Sequence, residues 1–106
     1  MQLLTKEIRR KALRNHGREI DSKNPNFVAH FFNPLGNQHW YLFSIDPKEE
    51  WRAYGLAFIH ELEWGTFSID ELSSVQVGLG LGIERDILWD DVNTFEEIEK
   101  RVFGKW

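Results

Sequence analysis

Residues 54–89 read Y-G-L-A-F-I-H-E-L-E-W-G-T-F-S-I-D-E-L-S-S-V-Q-V-G-L-G-L-G-I-E-R-D-I-L-W, and their patterning decides the fold class. From Tyr54 to Leu62 the chain alternates. Tyr54, Leu56, Phe58, His60 and Leu62 share one side, and Gly55 and Ala57 lie on the other. That predicts a strand whose small-residue face admits close approach of a helix or another backbone. Trp64-Gly65 then turns the chain into a short strand at Thr66–Phe67. Ser68-Ile69-Asp70-Glu71 has the S-x-x-E spacing of a capping box, so a short helix near 69–76 should bury Ile69 and Leu72. Gly78, Gly80 and Gly82 alternate through a segment that reads as a pliable loop. The run 83–89 reads as a last strand, with Ile83, Arg85, Ile87 and Trp89 on one face and Glu84, Asp86 and Leu88 on the other.

Upstream, F-V-A-H-F-F-N and Q-H-W-Y-L-F-S-I flank a Pro-x-Gly-Asn turn, the pattern of an antiparallel hairpin. Alternation sets Phe27, Ala29 and Phe31 against Val28, His30 and Phe32, and Trp40 and Leu42 against Tyr41, Phe43 and Ile45. Both faces are apolar, so both should be covered. Asp21 to Asn26 form a linker. Before it, Thr5 caps a helix that runs to about His16 and stops at Gly17. Leu4, Ile8 and Ala12 mark its narrow apolar face, with Lys6, Arg9, Arg10, Leu13 and Arg14 opposite, so it should lie on the surface of the domain. Downstream, Asp90-Asp91 ends the last strand. Thr94 and Glu97 form a second capping pair for a helix over 94–104, whose core stripe is Phe95, Ile98 and Val102, flanked by Phe103. The expected fold is α+β. A mostly antiparallel sheet of four or five strands over 27–89 carries an N-terminal, a short middle and a C-terminal helix, all in one domain over residues 1–106.

A chain of 106 residues with 42% apolar residues, eight Phe and five Trp can bury an aromatic-rich core unaided. The absence of Cys excludes disulfides, thiolate metal sites and thiol nucleophiles. Without an apolar run of membrane-spanning length or a secretory leader, the expectation is a soluble cytoplasmic protein. Net charge is −4, but residues 1–23 carry seven Lys/Arg against three Asp/Glu, whereas residues 24–106 carry six against fourteen. The basic arm either docks on the acidic body or meets an anionic partner. The first reading is favoured because an acidic body repels phosphate.

The G-L-G-L-G segment lacks both the dinucleotide fingerprint and the G-K-[ST] of a phosphate loop. Glu61, Glu63, Glu84 and Asp86 would converge only if their strands are neighbours. They could then act as acid and base or hold a hard cation; otherwise they form a solvated acidic face. His30, His39 and His60 sit on strands without H-x-H or H-E-x-x-H spacing, and Ser and His occur without a nucleophile elbow. No catalytic residue, metal ligand or cofactor is assigned. Trp51 and Trp64 fall at turns and Trp106 ends the chain, so these three are the tryptophans expected at the surface.

Over Phe31 to Trp89, the segments F-F-N-P-L-G-N-Q-H-W-Y-L-F-S-I-D-P, Y-G-L, E-W-G-T-F-S-I-D-E-L and G-I-E-R-D-I-L-W resemble the bacterial family called domain of unknown function 2958. Trp40, Asp46, Pro47, Gly55, Glu63, Gly65, Glu71, Leu72, Glu84, Arg85 and Asp86 fall on its pattern. Thr66 stands where the family usually has Tyr, and the basic N-terminal helix lies outside the resemblance. The family brings no established activity. Its association with plasmids and conjugative elements implies an anti-defence role. The expectation is therefore a non-enzymatic protein-interaction module, of anti-CRISPR or antirestriction type, binding a protein through Trp51, Glu61, Glu63, Trp64, Glu84 and Asp86. The alternative is a ligand- or divalent-metal-binding domain or enzyme built on the clustered carboxylates. Nucleic acid, through Lys6, Arg9, Arg10 and Arg14, is the less favoured partner, and no membrane association is expected.

Overall fold

The structure, a computed structural model, describes residues 2–90 and 93–103. Its elements in order are α1 (Lys6–Asn15), β1 (Ala29–Phe32), β2 (His39–Ile45), β3 (Arg52–Phe58), β4 (Leu62–Ser68), α2 (Ile69–Ser74), β5 (Gln76–Gly78), β6 (Leu81–Gly82), β7 (Glu84–Arg85) and α3 (Phe95–Phe103). Five strands make one antiparallel sheet in the order β4-β3-β2-β1-β7, with β5 and β6 as a separate hairpin. The fold is the α+β arrangement that the patterning predicts.

The central strand explains the layering. Every residue of β2 from Trp40 to Ile45 is buried, so both faces of the sheet need a cover. On one face Trp40, Leu42, Ala29, Phe31, Ile45 and Ala53 pack with Leu3 and Ala12 at the α1 end and with Ile69 and Leu72 of α2. On the other, Tyr41, Phe43, Phe27, Leu56 and Phe58 pack with Ile98 and Val102 of α3. Burying each of those two α3 side chains contributes roughly 1.5–3 kcal/mol.

The helix termini follow the sequence. Thr5 Oγ1 accepts from Ile8 N at 3.1 Å, Ser68 Oγ from Glu71 N at 3.1 Å, and Thr94 Oγ1 from Glu97 N at 3.1 Å. In the last case the Thr94 hydroxyl also donates to Glu97 Oε1. Gly17, beyond the His16 cap, has φ +79°. The apolar side of α1 is broader than its sequence stripe, because Leu3 is buried and Leu13 is partly buried against the core.

Several expectations are corrected. The stretch from Tyr54 to Leu62 is not one strand. It turns at Ile59-His60-Glu61, so Phe58 pairs with Leu62 and β4 runs back along all of β3. The turn holds no Gly, Pro, Asn or Asp, and a three-residue reversal leaves Leu62 on the face of Phe58, which mimics continued alternation. Within β2 the register shifts between Leu42 and Ser44, leaving Phe43 as the extra residue of a bulge. Ile45 therefore returns to the Trp40/Leu42 face instead of joining Tyr41. The Phe43 carbonyl accepts from Asn15 Nδ2 at 2.9 Å, tying α1 to the bulge. Phe27 precedes β1 and packs with Tyr41, on the face opposite Ala29 and Phe31. The glycine segment is the β5–β6 hairpin, whose turn residues Leu79 and Gly80 have φ +54° and +75°, the pairing a two-residue reversal favours. The last strand is only Glu84–Arg85. Asp86 Oδ1 accepts from Leu88 N at 3.0 Å and the Asp86 carbonyl from Trp89 N, which turns the chain and leaves Ile87 and Leu88 exposed. Asp91, residue 104 and Trp106 lie outside the described residues.

Gly55 lies at the bulge. A Cβ there would stand 1.9 Å from the Tyr41 carbonyl oxygen, in the middle of the sheet where backbone cannot yield. Gly55→Ala is expected to cost about 3 kcal/mol or to abolish folding. Urea unfolding monitored by tryptophan fluorescence measures this, and an unchanged midpoint contradicts the close approach.

Candidate functional site

Strand order separates the carboxylates. Glu61 and Glu63 belong to the β3–β4 hairpin at one edge of the sheet, whereas Glu84 and Asp86 lie at or just after β7 on the opposite edge, with three strands between the two edge strands. The four do not converge, so the acid–base or cation site that depended on their proximity is not formed. Among the described residues no group of three or more His, Cys, Asp and Glu could hold a metal ion.

At the first edge, residues paired across β3 and β4 share a face. Leu56 opposite Trp64 and Tyr54 opposite Thr66 lie on the α3 side; Ala57 opposite Glu63 and Gly55 opposite Gly65 lie on the other. Trp64 and Tyr54 are 36% and 37% exposed, and their rings stack at 6.4 Å, with Phe27 5.5 Å from Trp64. Trp51, 43% exposed with the Arg52 guanidinium 5.2 Å above its ring, sits at the other end of the hairpin from Glu61 and Glu63. Trp40 is core, at 8% exposure, and Trp89 is half-buried. The Glu63 carboxyl is pushed above its ordinary value, first by the hydrogen bond that its protonated form donates to the Glu61 carboxylate and then by that residue's charge. Two open grooves flank the aromatic pair. One, about 380 Å³, lies beside Tyr54, Thr66, Arg18 and Phe43; the other, about 700 Å³, lies between Trp64, Lys23 and Phe95.

At the second edge Asp86 belongs to a chain of polar side chains inside the aromatic face. Its Oδ2 is 3.1 Å from His30 Nδ1; His30 Nε2 is 2.8 Å from His39 Nδ1; His39 Nε2 is 3.3 Å from Asn37 Oδ1. The His30 ring stacks on Tyr41 at 4.6 Å and 7°, and Trp89 closes over it at 5.5 Å while donating from Nε1 to the Phe27 carbonyl at 2.7 Å. Burial lowers the His30 pKa; Asp86 opposes this, and Arg101 adds to it. Burial, then the neighbouring His30, brings His39 down to about 4. In the neutral pair Asp86 accepts from His30 Nδ1–H and His30 Nε2 accepts from His39 Nδ1–H, which fixes both tautomers. This leaves His39 Nε2 without a proton, so its approach to Asn37 Oδ1 is a contact between two acceptors and the hydrogen-bonded chain ends at His39. Burial pushes the Tyr41 phenol up, and among the described residues its hydroxyl has no hydrogen-bond partner. Asp86, His30 and His39 form a structural connection between β1, β2 and the turn after β7. The sequence carried its signal. The hairpin register places His30 opposite Tyr41 and Phe32 opposite His39, a diagonal pair on one face. His60 is exposed in the β3–β4 turn and takes no part.

The basic face of α1 is partly used by the body. Arg9 makes a two-point contact with Glu50, Nε to Oε1 at 2.5 Å and the other guanidinium nitrogen to Oε2 at 2.8 Å. Lys6, Arg10 and Arg14 are exposed. Arg85 donates to the Gln2 carbonyl, tying the start of the chain to β7.

These features define a small α+β domain with one closed, polar-stitched sheet edge and one exposed aromatic edge. The chain belongs to the family described as "Protein of unknown function (DUF2958)", which matches residues 3–99. The family region therefore includes the basic N-terminal helix, which the motif resemblance left outside. Comparison with curated proteins and with solved structures gives no match.

Because both histidines are held below their ordinary value of 6.5, the unfolded chain binds more protons than the folded one as pH falls below that value. Their contribution to stability is complete above about pH 6.5 and is lost as pH falls towards about 4. Urea midpoints should drop across this window, and His39→Gln should flatten the drop. An equal pH slope in the variant contradicts the assignment. Asp86→Asn should cost about 1–3 kcal/mol at pH 7 by weakening the hold on His30.

Proposed function

We propose that this chain is a non-enzymatic protein-interaction module, acting in the bacterial cytoplasm, whose binding surface is the β4 edge. The observation that carries the reading is the exposed stack of Tyr54, from β3, with Trp64 of the seven-residue edge strand β4. Rigid aromatics of this kind supply contact area at small entropic cost and concentrate binding energy. Glu61 and Glu63 give one end of the edge a negative sign, and Trp51 marks the other end. Glu84 and Asp86, on the far side of the sheet, drop out of the binding set, and Asp86 is occupied with His30. The basic side chains of α1 are a weaker basis for nucleic-acid binding, since Arg9 is taken up by Glu50 and the body is acidic. An anti-defence role, resting on the mobile-element association alone, would make the target a nucleic-acid-binding protein whose basic groove accepts carboxylates in place of phosphates.

The test is affinity capture from bacterial lysate with the wild-type chain and with Trp64→Ala, at low and high salt. The expected outcome is one dominant protein, retained at least tenfold less by the variant and released as ionic strength rises. Equal retention by wild type and variant removes the aromatic edge from the account. Retention indifferent to salt removes the carboxylates.

A further inference from the structure

We infer that the β4 edge binds its partner by strand addition, taking an extended basic segment of another protein as a sixth strand of the sheet. This rests on the reading of the chain as a protein-interaction module and specifies how that surface works.

The two edges of the sheet are built differently. The β7 edge has only two residues, and the chain turns away at Asp86 immediately after them. Short edge strands and abrupt turns are ordinary protection against unwanted pairing. The β4 edge has none of that protection. It is seven residues long and keeps unbroken register with β3 from Leu62 to Ser68. It contains no Pro, Lys or Arg. Every second residue of such an edge directs its N–H and C=O away from β3, so β4 offers a row of backbone donors and acceptors about 20 Å long. That length suits an extended segment of six or seven residues.

Side chains on both faces of the edge add selectivity. On the face away from α3, Gly65 lies between Glu63 and Phe67, and a Cβ at Gly65 would meet no atom within 4 Å. The result is a notch beside the edge, with room for a side chain of an added strand. On the α3 face, Trp64 and Thr66 are exposed and would flank the alternate side chains of the same strand. Charge sets the chemistry of the occupant. Glu61 and Glu63 sit together at the hairpin end and interact with each other, so a Lys or Arg there relieves their mutual repulsion. The occupant is therefore an extended segment with an apolar side chain for the notch and a basic residue at the Glu61/Glu63 end. Backbone pairing provides affinity and the alternating pockets provide choice of sequence, as in other strand-addition complexes.

The test uses the full chain, ¹⁵N-labelled, and the nine-residue synthetic peptide Lys-Thr-Val-Thr-Val-Thr-Val-Thr-Lys, which carries Val for the notch and Lys at either end on one face of the added strand. The expected result is chemical-shift change centred on residues 62–68, lost when the peptide is N-methylated at alternate residues in one phase and kept in the other. Gly65→Val fills the notch. Valine is the better strand former and has open space there, so its melting temperature should match or exceed wild type. Peptide affinity, and retention of any partner captured by wild type, should fall roughly tenfold or more. Three results overturn the inference. Shifts confined to the grooves beside Tyr54 or Phe95, or no shift at millimolar peptide, exclude strand addition. Unchanged affinity of a normally folded Gly65→Val also excludes it. A wild-type dimer that Gly65→Val dissociates makes a second copy the occupant instead. If Gly65→Val keeps a captured partner that Trp64→Ala loses, strand addition fails while the interaction reading stands. If both variants keep it, the β4 edge is not the binding surface, and both strand addition and the proposed surface fail.

Discussion

The whole arrangement depends on β2 being buried on both faces. A strand with Trp40 and Leu42 on one side and Tyr41 and Phe43 on the other cannot lie at a surface. Its neighbours must be strands and its two faces must be covered by helices. The larger covers are α1 and α3, which lie on opposite faces. The bulge at Phe43 is part of the same solution. It returns Ile45 to the α1 face, and the exposed carbonyl it creates is taken by Asn15 from α1 itself. Gly55 then has to be glycine because the Tyr41 carbonyl passes where its side chain would be.

Asp86 closes the opposite edge. It ends β7 by accepting from Leu88 N with one carboxylate oxygen, and it holds His30 with the other. Through His30 it reaches His39 on the next strand, so a short, two-residue β7 is anchored by side chains instead of a long ladder. Tyr41 and Trp89 enclose the His30 ring, and burial favours the neutral form of both imidazoles. The E-R-D segment is thus largely accounted for by folding. Asp86 orients His30, and Arg85 holds the Gln2 carbonyl.

Much of the fold was legible because its signals are local. Thr5, Ser68 and Thr94 all cap the helices expected of them, and the Pro-x-Gly-Asn turn makes the hairpin around it. The failures fall where local pattern is ambiguous or where pairing is distant. Ile59-His60-Glu61 reverses the chain without a turn-forming residue, so the sequence pattern of two strands resembles that of one. The glycine segment hid a hairpin because Leu79 adopts a left-handed conformation that side chains seldom take. The separation of Glu61 and Glu63 from Glu84 and Asp86 depends on strand order, which no short window of sequence contains. Trp51 and Trp64 are both at the surface, but Trp64 lies within β4 and not at a turn, since the reversal falls earlier, at Ile59-His60-Glu61. Tyr54, which completes the exposed stack, is hidden by its position in an apolar alternation.

One edge of the sheet is short and tied down by Asp86, and the other is long, regular and bare. That contrast is the central claim, and native-state amide hydrogen exchange of the free chain tests it most directly. The account predicts slow exchange throughout β2 and β3, and an alternating pattern along β4 in which every second amide exchanges at close to the rate of an exposed loop. Uniform protection of β4 at the level of β3 would contradict it, because the edge would then be covered before any partner arrives.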